Sequence, residues 1–295
     1  MTSTVDKFGE LDSDSFQAIA RLTYDSCGIQ LVEEKRSMIQ SRLRHRLSAL
    51  GLHEFASYSR FVCSEQGRDE RRHMISALTT NVSHFYRERH HFDTLRDEII
   101  PKLARKLRQG HRARIWSAGC SNGQEPYSIA MDLLEALPEV ATLDFRILAT
   151  DIDPKVVRFA QEGRYPERML EGVPPDRRAK YFTKPLTPGD DQFCIKAPVK
   201  NLIRFRELNL LGTWPIKQRF DVIFCRNVVI YFDAGTQNSL WPRFRDALDP
   251  EGYLFLGHSE RIADMETAKF FIAGTTTYRP TSAPAQPLFS SQRKS

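Results

Sequence analysis

The chain has 295 residues, of which 43 are Lys or Arg and 37 are Asp or Glu, so its formal net charge is +6. With 41% apolar and 27% charged residues, it has the composition of a folded globular protein rather than a disordered or fibrous one. No apolar run approaches the roughly 20 residues of a membrane span, and the first ten residues lack the apolar core of a signal peptide. Five widely spaced cysteines without a C-x-x-C pair argue against a disulfide framework or zinc site, so we expect a cytoplasmic protein without a metal.

The N-terminal part predicts a helical domain over residues 1–78. Apolar residues recur at helical spacing in three stretches, and Gly51 is well placed to end the second predicted helix. The three apolar sets are Phe16, Ile19, Ala20 and Tyr24; then Ile39, Leu43, Leu47 and Leu50; then Phe55, Tyr58, Phe61 and Val62.

After a linker and a charged helix at 79–110, the pattern alternates between strand and helix. This alternation predicts an α/β domain over 111–280, with a doubly wound parallel sheet and helices on its faces. We predict strands at 114–118, 145–150, 220–225 and 252–257, and helices at 126–137, 154–162 and 236–248.

Between residues 163 and 210 the alternation breaks. Three short stretches at 181–184, 192–196 and 202–206 are joined by Pro, Gly and Asp, which predicts an antiparallel β-subdomain at about 175–207. Residues 270–272 and 276–279 are typical of a closing hairpin. The stretch 281–295 has little to bury and is expected to be a disordered tail.

Two glycines, Gly119 and Gly123, lie in the turn after the first predicted strand. The turn matches neither G-x-G-x-x-G nor a P-loop, so the glycines alone favour a simple strand-to-helix turn. Asp151, however, ends the second strand, where doubly wound folds hydrogen-bond ribose hydroxyls. Asp153 precedes Pro154 and is better placed as a helix N-cap. The alternative is that both aspartates only cap a helix.

The fourth strand stops abruptly at Arg226 and Asn227, with Tyr231 shortly after. Such a pair usually marks only a strand end. Ligands of open α/β sheets nevertheless bind beyond the carboxyl ends of the strands, and this pair falls at the same edge as Gly119 and Asp151. We therefore expect a ligand site there.

Together these motifs resemble the CheR family of S-adenosylmethionine-dependent methyltransferases, which esterify glutamates of chemotaxis receptors. The resemblance runs from about residue 14 to 278 and implies a helical N-terminal domain, a catalytic domain and an inserted three-stranded β-subdomain. Its most specific stretches are 79–88 with His91 and Phe92, 116–131, 151–153, 220–233 and 257–260.

The resemblance also implies roles for individual residues. Arg87 would face the methionine carboxylate of the cofactor, as a guanidinium fork can. Tyr231, which lies just past the fourth strand, is our candidate for positioning the reacting groups together with Arg87; the alternative is that it only packs in the core beside Phe232. Without the resemblance, Arg87 is a surface charge that pairs with Glu88 or Asp93. The implied cofactor ligands are Asn81, Ser83 and Arg87 in the linker, Gly119, Glu125 and Asp151 at the amino and ribose ends, Asn209 and Leu210 beside the adenine, and Arg226 and Asn227 beside the methionyl part.

The chain departs from the family pattern at three positions. Ser83 stands where the family usually has Thr, and Tyr86 where it often has Phe. Gln124 replaces a usual Glu and removes one charge from the cofactor turn.

The predicted partner is the helical bundle of a chemotaxis receptor, an acidic target. The second helix carries Lys35, Arg36, Arg42, Arg44 and Arg46 with no acid among them. A charge run is usually only a solvated face, but a basic helix would also steer an acidic partner. We therefore expect the receptor to dock at Arg42, Arg44 and Arg46. We expect a monomer recruited to receptor arrays, without membrane insertion or nucleic acid.

Other functions fit the sequence less well. A nucleic-acid methyltransferase would share the sheet and the basic charge, but residues 226–229 lack the D/N-P-P-aromatic motif of base amino-methylation. A non-catalytic S-adenosylmethionine-binding protein is the second alternative, and it is disfavoured by the presence of Asn81, Arg87, Asp151 and Asn227. An NAD dehydrogenase is disfavoured by the glycine pattern.

Overall fold

The computed structural model describes residues 8–79, 81–185 and 191–281. The chain divides into two compact units. The first contains Met1–Thr80 and Tyr231–Asp233, and the second contains Asn81–Ile230 and Ala234–Ser295. The expected tail, apart from residue 281, and most of the turn in the β-subdomain at 186–190 lie outside the described residues.

The first unit is helical, as the spacing of apolar residues predicts. Helix α1 begins after Asp12, whose carboxylate accepts a hydrogen bond from the Ser15 N–H at 2.8 Å, and it ends at Gly28 with a φ of +71°. Apolar side chains of all its helices form one core. The helices of its described residues are α1 (Ser13–Cys27), α2 (Arg36–Ala49), α3 (Phe55–Cys63) and α4 (Arg68–Leu78).

Two residues of the predicted apolar stripes lie outside this core. Leu50 is 37% exposed, because the helix already ends at Ala49 and the chain turns away at Gly51, where φ is +68°. Tyr24 is 42% exposed. It lies at the margin of its stripe, and its hydroxyl donates to Asp233 at 2.5 Å.

The second unit begins with the linker and a long helical segment. The segment contains α5 (Arg89–Thr94), a π-helical turn at Leu95–Ile99 and α6 (Ile100–Arg108). Pro101 has no N–H to donate to the preceding turn, which explains why the regular ladder is interrupted at this point.

In the described part of the chain, this unit contains a seven-stranded sheet in the order β6-β2-β1-β7-β8-β10-β9. The first five strands in this order are parallel, and the closing hairpin is antiparallel. The order reverses beside β1, so the predicted doubly wound sheet is confirmed. Its strands are β1 (Ala113–Ala118), β2 (Phe145–Asp151), β6 (Ile203–Glu207), β7 (Phe220–Cys225), β8 (Leu248–Leu256), β9 (Phe270–Gly274) and β10 (Thr277–Pro280).

The helices of the second unit connect these strands, and the longest of them match the predicted positions. They are α7 (Gln124–Ala136), α8 (Pro154–Glu162), α9 (Pro175–Tyr181), α10 (Ala197–Lys200), α11 (Ala234–Ala247) and α12 (Met265–Ala268).

A separate antiparallel sheet is present, but the prediction of one of its three strands is wrong. The sheet contains β3 (Arg164–Pro166), β5 (Gln192–Ile195) and β4 (Phe182–Thr183), in that order. The predicted third strand at 202–206 instead forms β6, which pairs in parallel with β2, starting at Ile147 opposite Ile203. As the outer strand of the main sheet, β6 alternates between buried and exposed residues, the pattern that an antiparallel strand also shows.

Candidate functional site

The turn after β1 is tight and leaves no room for a side chain at Gly119. The N–H groups of Gly119 and Cys120 both donate to the Thr150 carbonyl at 2.8 Å. Gly119 has a φ of +87°, and a Cβ there would lie 2.2 Å from Cγ2 of Val228. Glycine is required here both by the backbone conformation and by the close approach of the loop after β7.

Asp151, at the end of β2, and Asp153 have different partners. Asp151 is 8% exposed, and its carboxylate accepts hydrogen bonds from the backbone N–H groups of Ser121 at 2.8 Å and Asp153 at 3.0 Å. Burial raises the pKa of Asp151 to about 6, although these N–H groups oppose the shift. Asp153 caps α8 by accepting from the Lys155 N–H at 2.9 Å, as predicted.

The linker before α5 is bonded to this turn. Asn81 donates to the Asp153 carboxylate at 2.9 Å, and its carbonyl accepts from the Ser121 hydroxyl at 3.0 Å. The carbonyl of Ser83 accepts from the side chain of Gln124 at 3.4 Å. Two of the predicted linker ligands therefore lie beside the β1–α7 turn.

Gln124 leaves a buried acceptor without a partner. Its side chain is fully buried, and its Oε1 atom accepts no hydrogen bond from any described residue. Since an unsatisfied buried oxygen costs about 1–3 kcal/mol, the turn fits a ligand that brings a hydrogen-bond donor.

Arg87 does not form the ion pairs that its sequence neighbours offer. Its Nη1 atom donates to the Val82 carbonyl at 3.0 Å. Among the described residues, neither Glu88 nor Asp93 forms a salt bridge with its guanidinium. The half-buried side chain keeps further donors, because a guanidinium has five N–H groups.

Arg226, at the end of β7, connects the linker to α7. It is 5% exposed, and its guanidinium lies 3.2 Å from Glu125 and 3.4 Å from Glu88. It also donates to the Arg87 carbonyl. Glu125 in turn accepts from the Ser117 hydroxyl at 2.7 Å, so β1, α7, β7 and the linker share one buried network.

The pKa values of the two carboxylates that pair with Arg226 shift in opposite directions. Burial raises the pKa of Glu125, although Arg226 opposes the shift. Burial also disfavours the charged form of Glu88. There, however, Arg226 and hydrogen bonds from His258 and Asn227 outweigh burial and bring the pKa down to about 2.

Asn227 has a left-handed backbone, with a φ of +58°, a conformation that asparagine tolerates better than most residues. Its N–H donates to Glu260 at 2.8 Å, and its side-chain amide donates to Glu88 at 3.2 Å. Carboxylates therefore fix both the backbone and the side chain of Asn227.

The segment after β6 lies beside the end of β2. The Leu208 N–H donates to the Asp151 carbonyl at 2.9 Å, which places Asn209 and Leu210 next to the predicted ribose ligand. Asn209 closes a local turn by accepting from the Leu211 N–H at 3.0 Å, and Leu210 is 7% exposed.

The second unit thus brings together the predicted cofactor ligands, whereas Tyr231 belongs to the first unit. There the Tyr231 carbonyl accepts from the Gln30 N–H at 2.9 Å.

The basic face of α2 is partly neutralised within the first unit, by an acidic residue from another helix. Arg46 forms a two-pronged pair with Glu70 of α4, at 2.8 Å and 2.5 Å, and its side chain is 14% exposed. Arg42 donates to the Leu78 carbonyl at 2.7 Å. Arg44 is half-buried.

The sequence argument assigned no role to several polar residues of the network. Glu88 and Glu260 lie inside stretches that carry the family resemblance, and Glu260 follows β8 at the same edge of the sheet as Asp151. That position could have signalled a role for Glu260. Ser117 and Ser121 also lie inside such a stretch, at 116–131, but their hydrogen-bond partners depend on the fold and could not be predicted from it.

In the described part of the chain, Glu88, His90 and His91 form a group whose potential ligand atoms lie within 4.8 Å of one another. The Arg226 guanidinium already contacts Glu88, and its positive charge disfavours a metal ion there, so we assign none.

None of the helices in the described part of the chain is long and apolar enough to cross a membrane.

Comparison with known proteins gives matches along nearly the whole chain. The family model described as "CheR methyltransferase, all-alpha domain" matches residues 14–79, and "CheR methyltransferase, SAM binding domain" matches residues 81–279. The probable chemotaxis protein methyltransferase of Rhizobium etli is 48% identical, over 88% of this chain and 97% of its own. Chemotaxis protein methyltransferase 2 of Pseudomonas aeruginosa is 40% identical, over 90% and 93%. The chemotaxis protein methyltransferase of Escherichia coli K12 is 39% identical, over 91% of each chain.

Proposed function

This chain belongs to the CheR methyltransferase family, and on that premise we propose that it methylates glutamate side chains of chemotaxis receptors, forming methyl esters for sensory adaptation. It is a methyltransferase of chemotaxis, and its cofactor is S-adenosylmethionine.

The observation that carries the proposal is the convergence of polar groups at the carboxyl ends of β1, β2, β6 and β7. The residues there fit the cofactor: the Gly119 turn admits close approach, Gln124 offers an unsatisfied buried oxygen, and Asp151 offers a carboxylate for the ribose. We propose that Asn209 and Leu210 flank the adenine.

The methionyl end of the cofactor would lie among the linker and the Arg226 network. We propose Asn81, Ser83, Arg226 and Asn227 as its surroundings, with Glu125 near its amino group. Arg87 would pair with its carboxylate, because one of the five guanidinium donors is seen on Val82 and the others suit a carboxylate.

The chemistry needs alignment more than proton removal. When bound, S-adenosylmethionine supplies a methyl group on a positively charged sulfonium. A glutamate acceptor, with a reference pKa near about 4.3, is already ionised at neutral pH, so it needs no general base. The chain's task is to hold the acceptor oxygen in line and to exclude water, which is worth about 7–11 kcal/mol.

The carboxylates of the site are consistent with this mechanism. Asp151 and Glu260 accept from backbone N–H groups, and Glu88 and Glu125 pair with Arg226. We therefore assign none of the four as a general base. We propose Tyr231 as a further residue that positions the acceptor.

For the partner, we propose that the acidic helices of a receptor dock on α2 through Arg42 and Arg44, with Arg46 as a weaker contributor because Glu70 already neutralises it. We propose that the protein acts as a cytoplasmic monomer recruited to receptor arrays.

The test is transfer of a tritiated methyl group from S-adenosylmethionine to receptor cytoplasmic fragments. We expect label on receptor protein that is released by mild base, as a methyl ester requires, and no transfer to a fragment whose acceptor glutamates are replaced by alanine. Base-stable label, or label on DNA or RNA offered in parallel, would contradict the proposed acceptor. Cofactor binding without transfer to any acceptor would favour a non-catalytic protein.

A further inference from the structure

We propose that Glu260 is a positioning residue of the methyltransferase site. Its buried carboxylate holds the loop after β7 in the one shape that presents Arg226 and Asn227 at the cofactor edge. The inference rests on the proposed function only in that these two residues face the cofactor. The hydrogen bonds that define the loop are properties of the structure itself.

The Glu260 carboxylate gathers backbone donors from two separate segments. Its side chain is 2% exposed. Oε2 accepts from the N–H of Gly257 at 2.5 Å and of Asn227 at 2.8 Å, while Oε1 accepts from the N–H of Ile230 at 3.2 Å. One side chain thus joins the turn after β8 to the loop after β7.

Only a carboxylate of this length suits the position. An ionised carboxylate has about four acceptor sites and no donor, which suits a position where three backbone N–H groups converge. A glutamine would replace one oxygen with an NH₂ group that faces those donors. Burial raises the pKa of Glu260, and the N–H groups of Gly257 and Asn227 oppose the shift, so the backbone supplies the stabilisation that a cation would otherwise give.

The two segments also interlock sterically. A Cβ at Gly257 would lie 2.5 Å from the side-chain nitrogen of Asn227 and 2.8 Å from the Glu260 carboxylate. Asn227 has a φ of +58°, a conformation that asparagine adopts more readily than most residues and that its surroundings must still enforce. The bond from Glu260 to the Asn227 N–H provides that enforcement.

Glu88 completes the arrangement from the linker side. Its Oε1 atom accepts from the Asn227 side chain and from the His258 N–H, both at 3.2 Å. Glu260 therefore sets the backbone of Asn227, and Glu88 sets its side chain. Because the hydrogen bonds of the Glu260 carboxylate go to backbone N–H groups, Glu260 acts on the cofactor site through Asn227 and Arg226.

The test compares Glu260→Gln and Glu260→Asp with the unchanged protein. Two quantities are measured: affinity for S-adenosylhomocysteine by calorimetry, and hydrogen exchange of peptides covering 226–230 and 257–260. We expect Glu260→Gln to weaken affinity about tenfold or more, because buried N–H donors lose their acceptor, and to speed exchange in both segments. Glu260→Asp keeps the charge, so its affinity and its exchange rates should lie between those of Glu260→Gln and those of the unchanged protein.

The matched control is Glu70→Gln, which alters another buried carboxylate, one bonded to Arg46 and Tyr58 in the first unit. It should lower the melting temperature but leave exchange at 226–230 and cofactor affinity unchanged. This readout separates positioning from general destabilisation.

Unchanged affinity or unchanged exchange in a folded Glu260→Gln protein would overturn the inference. If that variant does not fold, Glu260→Asp decides: unperturbed affinity and exchange in Asp overturn it, and partial loss of both supports it. Because the readouts use only the cofactor product, failure of receptor labelling would count against the proposed acceptor and not against this role.

Discussion

At the scale of single residues, the site is organised around buried charges whose partners are fixed. Asp151, Glu88, Glu125 and Arg226 are each held by backbone N–H groups or by one another. Such groups are costly to bury and costlier to leave unpaired. The protonation and pairing of these residues should therefore control cofactor binding in measurable ways.

Asp151 should make cofactor affinity depend on pH. Its pKa is raised from 3.8 to about 6, so the folded chain holds the proton more tightly than the unfolded chain. The free energy of unfolding should then fall as pH rises from about 4 to about 6. Ribose hydroxyls need the ionised carboxylate as acceptor, so affinity should rise over the same range.

Calorimetry with S-adenosylhomocysteine should show about tenfold weaker binding at about pH 5 than at about pH 7.5. Asp151→Asn should bind weakly at both values and lose this step. A pH step that persists in the asparagine variant would assign it to another group.

Arg226 should contribute several kcal/mol to the free energy of unfolding. Arg226→Met leaves Glu88 and Glu125 buried without their cation, and breaking such a pair costs about 3–5 kcal/mol. Urea denaturation measures the loss. The control is Arg168→Met, because Arg168 is exposed and lies 3.9 Å from Asp191; an exposed pair contributes about 0–1 kcal/mol. Equal losses in the two variants would contradict the structural role of Arg226.

At the scale of elements, the β1–α7 turn depends on glycine at one position. Gly119→Ala adds a Cβ that meets Val228, in a backbone conformation that alanine disfavours. We expect a loss of about 1–3 kcal/mol in stability, together with weaker cofactor binding.

Gly110→Ala is the control for this turn, because Gly110 has a φ of +80° but no atom within 4 Å of the added Cβ. It should cost only the backbone strain. Adding Val228→Ala to Gly119→Ala should recover part of the lost stability, as measured by urea denaturation. A double variant no better than Gly119→Ala alone would show that the contact with Val228 is unimportant.

The basic helix α2 should separate docking from stability. Arg44→Glu should slow receptor methylation about tenfold while leaving affinity for S-adenosylhomocysteine unchanged, because a rim charge acts mainly on association. Arg46→Glu should lower the melting temperature as well, since it places a second acid beside the buried Glu70. Unchanged methylation by Arg44→Glu would remove this surface from the proposal.

Sequence patterns predicted the main elements because their signals are local. The apolar run of β7 and the cap at Asp153 depend on neighbouring residues alone. The position of β6 does not, because a parallel edge strand and an antiparallel strand share the same alternation. The strand β3 was missed because three residues give too short a pattern.

At the scale of the whole molecule, the chain divides into a helical unit and a sheet unit, and Tyr231–Asp233 groups with the former. The polar residues at the strand ends predicted the carboxyl-end edge of the sheet as the site, and the resemblance implied the role of each residue there. It could not predict that Arg46 would pair with Glu70, 24 residues away, or that Glu260 would bind the loop after β7. These contacts depend on the tertiary fold, which no local pattern encodes.

The most direct test of the account is a crystal structure of the protein with S-adenosylhomocysteine. We expect the ribose hydroxyls within about 3.2 Å of the Asp151 carboxylate and the adenine beside Asn209 and Leu210. The amino-acid end should lie among Arg87, Glu125 and Asn227. Ligand density at another edge of the sheet, or a ribose without contact to Asp151, would contradict the proposed site.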